Sequence, residues 1–214
     1  MKTFSQCLAI LVLLAGTFPA GASVAESRSW EFSVSLDGSP IGFHTFELVE
    51  AGDGHEVISE ARFDVRFLFF NAFKYRHTNR ELWQDNCLAS IESQTRQNSE
   101  QFSVNGERVA DRFTVNSADG KQALDSCVMT FAYWDPSFLE QPRLLNPQSG
   151  EYLPVDVEEL GKQAVVVRGS TMMASAYRVK TRATELIVWY SDDNEWLGLE
   201  SVAKGGRIIR YELT

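Results

Sequence analysis

An alternation of apolar and polar residues with a period of two runs through most of this 214-residue chain. Residues 30–36 read WEFSVSL, and the turn pair Asp37-Gly38 follows at once. The same alternation continues over residues 56–69 and 73–83. Successive side chains of a strand point to opposite faces of its sheet, so this pattern predicts strands with one buried face each. No helical periodicity of useful length competes with it, and the sequence predicts an all-β fold.

Turn signals place further strands along the chain. Asn105-Gly106 predicts a type I′ hairpin, and Asp119-Gly120 predicts a second turn. Further strands are predicted at residues 151–157, 163–167, 174–181, 184–191, 196–203 and 207–213. Short turns join antiparallel neighbours, so we expect a strongly curved antiparallel meander or an incompletely closed β-barrel.

The segment from residue 130 to residue 154 breaks the alternation. Residues 127–134 are predicted to form a turn or two of helix, and the form of a capping box at Ser137 predicts a second short helix. We call residues 127–147 the plug, because its aromatic side chains are expected to cover the concave side of the curved sheet. These aromatics are Phe131, Tyr133, Trp134 and Phe138.

The N-terminal residues predict export. Residues 7–20 form an apolar run of signal-peptide length, too short for a transmembrane helix. Cleavage is expected after Ala25, with residues 20–22 as a second choice, and no cysteine follows to carry a lipid anchor. We therefore predict a signal peptide at residues 1–25 and a single periplasmic or secreted domain at residues 26–214, without a stable membrane anchor.

The net charge disfavours two classes of binding partner, and the cysteine content predicts a disulfide. The formal net charge of −9 argues against nucleic acid and against anionic membrane surfaces, which both demand basic patches. Cys7 would leave with the signal peptide, so Cys87 and Cys127 remain as an even pair. A structural disulfide is predicted, with two free thiols or redox catalysis as alternatives, although no C-x-x-C motif supports the last.

Catalytic and metal motifs are weak. His44, His55 and His77 show no zinc-ligand spacing, and His55 is interpreted as a turn residue after Asp53-Gly54. Neither a G-x-S-x-G motif nor a phosphate-binding glycine loop is present, so no metal and no cofactor is predicted. His77 and Glu81 share one strand face at a spacing suited to two edges of one cavity. The sequence favours a role without catalysis.

Three functions stay open. The first is a carrier or binding module for an apolar ligand, such as a lipid, an acyl chain or a hydrophobic segment, held in the aromatic concavity. The second is an interaction module with a filled core that pairs with a cell-envelope protein partner, and the third is a hydrolase assembled from distant residues. The predicted ligand-binding residues are Phe69, Phe73, Tyr75, His77, Trp83, Tyr133, Trp134 and Trp189.

Several short motifs carry a resemblance. They are YRH at 75–77, ELW at 81–83, CL at 87–88, SQT at 93–95, WDP at 134–136, LNP at 145–147 with Gly150, and VWY at 188–190 with Asp193 and Trp196. Together they resemble an uncharacterised family of secreted bacterial proteins, a domain of unknown function, which implies no activity. Asn194-Glu195 stands where that family's turn more often ends in Asp-Gly. More distantly, the terminal strand pattern is similar to that of lipoprotein-carrier half-barrels.

Overall fold

The computed structural model describes residues 27–67, 70–203 and 205–214, which form β strands and one short 3₁₀ helix. The first eight strands are β1 Ser27–Leu36, β2 Ser39–Ala51, β3 Gly54–Phe67, β4 Phe70–Gln84, β5 Cys87–Gln97, β6 Glu100–Val109, β7 Arg112–Ser117 and β8 Gly120–Leu124. The others are β9 Arg143–Leu145, β10 Tyr152–Pro154, β11 Asp156–Val167, β12 Ser170–Lys180, β13 Glu185–Tyr190, β14 Trp196–Ala203 and β15 Arg207–Leu213. The predicted all-β class is confirmed. Among the described residues, no helix has the length and apolarity needed to cross a membrane.

Thirteen strands form one antiparallel sheet, in the order β11-β12-β13-β14-β15-β1-β2-β3-β4-β5-β6-β7-β8. The first and last described strands meet in its middle, where Phe32 on β1 pairs with Leu213 on β15. β8 and β11 form the two edges, so the sheet does not close on itself. The predicted incompletely closed, curved meander is therefore confirmed. The short strands β9 and β10 form a separate hairpin.

The alternation in the sequence matches the two faces of the sheet. On β1, Trp30, Phe32, Val34 and Leu36 are buried, and Glu31 between them is exposed. We call the buried side the inner face, and the plug packs against it. Burial of these large side chains supplies most of the favourable free energy of folding.

The hairpin predicted at Asn105-Gly106 is wrong, because β6 runs straight through both residues and turns only after Val109. Gly106 serves a different purpose there. A Cβ atom at this position would lie 2.6 Å from the ring of Phe113, which covers the glycine from the neighbouring strand β7. Tertiary packing of an aromatic ring over a strand glycine thus replaces the turn that the local pair predicts.

The plug contains less helix than predicted. Residues 127–134 form irregular structure and a turn, with Thr130 in an isolated bridge to Leu145. The only helical turn described in the plug is the 3₁₀ helix Pro136–Glu140, whose N-cap lies two residues before the predicted cap at Ser137. Asp135 caps it instead, since its Oδ1 accepts a hydrogen bond from the backbone N–H of Ser137 at 3.0 Å.

The plug is fastened to both halves of the sheet. A disulfide joins Cys87, at the start of β5, to Cys127, and the N–H of Leu88 donates to the carbonyl of Val128 beside it at 2.9 Å. On the other side, the Tyr190 hydroxyl of β13 donates to the carbonyl of Tyr133 at 2.6 Å. The plug therefore completes the main hydrophobic core, to which it adds Val128, Met129, Ala132, Trp134, Phe138, Leu144 and Leu145.

Candidate functional site

A small residue in the middle of β3 leaves space under the plug. Ser59 stands between Phe46 on β2 and Asn79 on β4 in the register of the sheet. Side chains directly opposite each other on one face lie about 4.5–5.5 Å apart at Cβ, so a serine between two larger neighbours leaves a gap. That gap is the floor of a cavity that is partly open to solvent.

The cavity has a volume of about 200 Å³ and lies between the inner face of β2–β4 and the plug. Aromatic side chains of the plug form its roof. Its lining consists of His44, Phe46, Val57, Ser59, Tyr75, His77, Asn79, Glu81, Phe131, Ala132, Tyr133, Trp134, Asn146, Pro147, Gln148, Thr184 and Tyr211. It thus combines aromatic walls with a group of buried polar side chains.

Glu81 is the most enclosed of these polar side chains, at 3% exposure. Its carboxylate accepts hydrogen bonds from Asn79 Nδ2 at 2.8 Å, Trp83 Nε1 at 3.0 Å and Thr130 Oγ1 at 3.2 Å. Burial raises the pKa of Glu81, and the three hydrogen bonds act in the opposite direction by stabilising the charged form. Thr130 belongs to the plug, so this network also ties the plug to β4.

Two histidines line the cavity on either side of the small residue Ala61. In the sheet register, His44 on β2 is opposite Ala61, and Ala61 is opposite His77 on β4. His77 Nδ1 is 2.8 Å from Thr95 Oγ1, whereas both ring nitrogens of His44 are buried without a hydrogen-bond partner. Burial lowers the pKa of His44 to about 3 and that of His77 to about 4, so both rings are neutral at neutral pH.

The turn after the plug closes another side of the cavity. Tyr75 donates its hydroxyl proton to Gln148 Oε1 at 3.0 Å, and Ser93 Oγ donates to the carbonyl of Pro147. The turn ends at Gly150, whose φ of +77° suits glycine, and a Cβ there would lie 2.6 Å from Cβ of Ser117.

The predicted binding residues occupy different places. Tyr75, His77, Tyr133 and Trp134 line the cavity. Trp83 is fully buried beside it and packs edge-to-face on Trp134, with 5.3 Å between the ring centroids. Phe73 and Trp189 are not among the lining residues, and Trp189 packs near Gly198 in the core. Phe69 lies outside the described residues.

Sequence reasoning missed Asn79, Ser59 and Thr130 as members of this site. The sequence does indicate Asn79, because Asn79 shares the odd-numbered face of β4 with the apolar Trp83. A polar residue on an otherwise apolar strand face is typical of a functional or hydrogen-bonded position. Ser59 carries the same signal on β3. Thr130 carries none, since its partner Glu81 is 49 residues away in the sequence. The interpretation of His55 as a turn residue is wrong, because it is the second residue of β3 and stacks on Trp83.

The side chains around the cavity form few of the contacts that catalysis requires. The pair of Thr95 and His77 brings a hydroxyl to an imidazole, as nucleophilic catalysis needs. Among the hydrogen bonds of the described residues, however, none joins His77 to a carboxylate, and Thr95 does not line the cavity. Within the same described ranges, no group of three or more His, Cys, Asp or Glu side chains is placed to hold a metal ion.

The outer face of the sheet also carries depressions, one of about 320 Å³. Its side chains include Glu60, Thr78 and Gln94, which are exposed and polar. Within the described part of the chain, Phe102 and His77 are its only aromatic lining residues, and most of its polar side chains are exposed, so the inner cavity is the better candidate site.

Comparisons with known proteins agree with the fold. The family model of a domain of unknown function, DUF6134, matches residues 32–214. Among solved structures, the chain is similar to the crystal structure of a beta-barrel-like protein of domain of unknown function DUF1849 from Brucella abortus, with a TM-score of 0.64 and 9% sequence identity. The match covers 87% of this chain and 94% of that one, and at this identity it shows the fold alone. The comparison with curated proteins finds no match.

Proposed function

This chain belongs to the DUF6134 family, a domain of unknown function, and we propose that it is an exported, non-enzymatic binding module that holds an apolar ligand in the cavity under the plug. The family gives no activity to inherit, so the proposal stands on the cavity itself. The export signal at residues 1–25, which lie outside the described residues, supports a periplasmic or secreted location.

The observation that carries this proposal is a cavity with aromatic walls in an otherwise well-packed core. Cores are normally filled to the density of organic crystals, whereas here a space of about 200 Å³, partly open to solvent, lies between the inner face and the plug. Phe46, Phe131, Tyr133 and Trp134 supply apolar surface around it, and a few polar groups converge on the same space. Convergent polar groups in an apolar cavity are typical of small-molecule sites.

The volume restricts the size of the ligand. An apolar protein cavity of about 150 Å³ binds benzene, whereas drug-sized ligands occupy pockets of about 300–1,000 Å³. The cavity of about 200 Å³ is therefore matched to one ring with a short substituent, or to the terminal part of a longer chain. A whole diacyl lipid exceeds it.

Native mass spectrometry of the protein purified from the periplasm of its own host tests the proposal. We expect a reproducible additional mass that is released by organic solvent and then identified by mass spectrometry. A bare polypeptide mass, together with no binding of added small aromatic or alkyl compounds, would refute a binding module.

Two matched substitutions test whether the ligand binds in this cavity. Ser59→Leu places a larger apolar side chain on the cavity floor, whereas Glu60→Leu makes a comparable change at the next residue, which is exposed on the outer face. The S59L variant is expected to lose the ligand, and the E60L variant is expected to keep it. Retention of the ligand by S59L would place the binding site elsewhere.

An interaction module is the second candidate, and exposed apolar side chains at one sheet edge favour it. β11 is an edge strand, and Val166 on it is 41% exposed, with Met172 and Met173 on β12 at 39% and 58%. An extended segment of an envelope protein would add to β11 by strand pairing. A photo-crosslinking residue in place of Met173 should then give one discrete adduct in cells. The same residue in place of Val109, which is 59% exposed on β6, serves as the control.

A further inference from the structure

The polar end of the cavity is rich in hydrogen-bond acceptors. Asn79 donates its Nδ2 hydrogen to Glu81 Oε1 at 2.8 Å, and this contact orients the amide. Asn79 Oδ1 is then left buried without a hydrogen-bond partner. Both side chains line the cavity. A ligand that donates hydrogen bonds would satisfy Asn79 and add a further partner to Glu81.

Glu81 also has no cationic partner. None of the ion pairs among the described residues includes it. Its three hydrogen-bond donors, from Asn79, Trp83 and Thr130, are all neutral groups. A carboxylate offers about four acceptor positions, so three neutral donors leave one position without a donor and place no positive charge beside the group. A ligand cation would supply both.

The remaining lining supports a cation and opposes an anion. No lysine or arginine occurs among the described residues that line the cavity. A fatty-acid carboxylate or a phosphate would therefore meet Glu81 without any positive charge to hold it. The rings of Phe46, Phe131 and Trp134 line the same space, and aromatic rings attract cations through their negative faces. The neighbouring His44 and His77 are neutral and do not repel a cation.

From these contacts, and on the basis of the binding module proposed above, we infer that the ligand carries a protonated amine, which binds between the Glu81 carboxylate and Asn79 Oδ1. An ammonium group has three donors and no acceptor, which matches the two acceptors and the missing counter-charge. Its apolar part, one ring or a short chain, occupies the aromatic side of the cavity.

A panel of four related probes tests this assignment: benzylamine, benzyl alcohol, benzoate and toluene. They share one ring and differ in the charge and hydrogen-bonding capacity of the substituent. Dissociation constants are measured by two-dimensional NMR titration of the ¹⁵N-labelled protein at neutral pH. The indole N–H of Trp83 is a direct reporter, since it donates to Glu81. We expect benzylamine to bind at least ten-fold more tightly than benzyl alcohol, and benzoate to bind most weakly.

The variant Glu81→Gln separates charge from shape. It should bring benzylamine to the affinity of benzyl alcohol and leave benzyl alcohol itself within about two-fold of the wild type. If E81Q does not fold, the comparison of benzylamine with benzyl alcohol in the wild-type protein still decides the question.

The outcomes distinguish the two proposals. Binding of toluene or benzyl alcohol with no preference for benzylamine would overturn the amine assignment and leave the binding module intact. Tighter binding of benzoate would overturn the assignment in the same way. Binding of none of the four probes would overturn both.

Discussion

Replacement of Gly106 by alanine is expected to destabilise this protein, although alanine is normally favoured over glycine inside a strand. The new methyl carbon would lie 2.6 Å and 2.8 Å from two ring carbons of Phe113 and 3.1 Å from Cγ2 of Ile91. Carbon atoms pack at about 3.5–4.0 Å, so the ring must move by roughly 1 Å. Phe113 has 0% exposure and lies in the main core, so that movement displaces further side chains.

The magnitude follows from the known effects of overpacking. Extra methyl groups in filled cores cost about 1–3 kcal/mol, and each kcal/mol lowers the Tm of a domain of this size by about 2–4 °C. We therefore expect G106A to lower the free energy of unfolding by about 1–3 kcal/mol and the Tm by roughly 2–12 °C.

Urea denaturation of a double-mutant cycle measures the effect and identifies its cause. Phe113→Leu shortens the opposing side chain, so G106A should cost about 1 kcal/mol less in the F113L background than in the wild type. If G106A equals or exceeds the wild type in stability, the proposed contact with Phe113 is wrong. The same conclusion follows if the substitution costs equally much in both backgrounds.

Three further predictions concern the disulfide, a histidine and the plug. Cys87 and Cys127 are 40 residues apart, and the double substitution to serine should cost about 4 kcal/mol in denaturant unfolding; a loss below about 1 kcal/mol would contradict the chain-entropy account. Burial lowers the pKa of His77 to about 4 from 6.5, so between these values the unfolded chain binds a proton that the folded protein does not, and stability falls as the pH drops below about 6.5. H77Q should lose about 1.2 kcal/mol less than the wild type between pH 6 and pH 5 and about 0.7 kcal/mol less between pH 7 and pH 6 in denaturant unfolding, and equal slopes would argue against a neutral buried His77. Trp134 is 7% exposed and packs on the rings of Trp83 and His55, so Trp134→Ala should cost about 3–5 kcal/mol; unchanged stability would mean that the ring serves only the cavity.

The strands could be predicted because their signal is local. The alternation around β1 and β4 follows from burial of one face, which the sequence records residue by residue. The last two strands, Trp196–Ala203 and Arg207–Leu213, even have the predicted bounds. Asn105-Gly106 was misread because the reason for Gly106 is the ring of Phe113, a tertiary contact that no local pattern contains.

The cavity could be predicted only in part. Its aromatic members are prominent in the sequence, and Tyr75, His77, Tyr133 and Trp134 are placed around it. Its polar members depend on register instead. Ser59 leaves a space beside Asn79, but this can be inferred only when the register of β3 and β4 is known. Thr130 contacts Glu81 only when the plug packs against the inner face of the sheet.

The pairing of β1 with β15 has a consequence for the order in which the sheet forms. Every other pairing in the large sheet joins two strands that are consecutive within it and in the sequence, whereas β1 pairs with β15, and Phe32 meets Leu213. Each half of the sheet, β1–β8 and β11–β15, can form by the addition of one hairpin after another, at a small cost in loop-closure entropy. The seam between the halves can form only after β15, the last of the described strands, has been synthesised. Until β15 pairs with it, β1 is an edge strand whose free backbone N–H and C=O groups can pair with a strand of another protein chain.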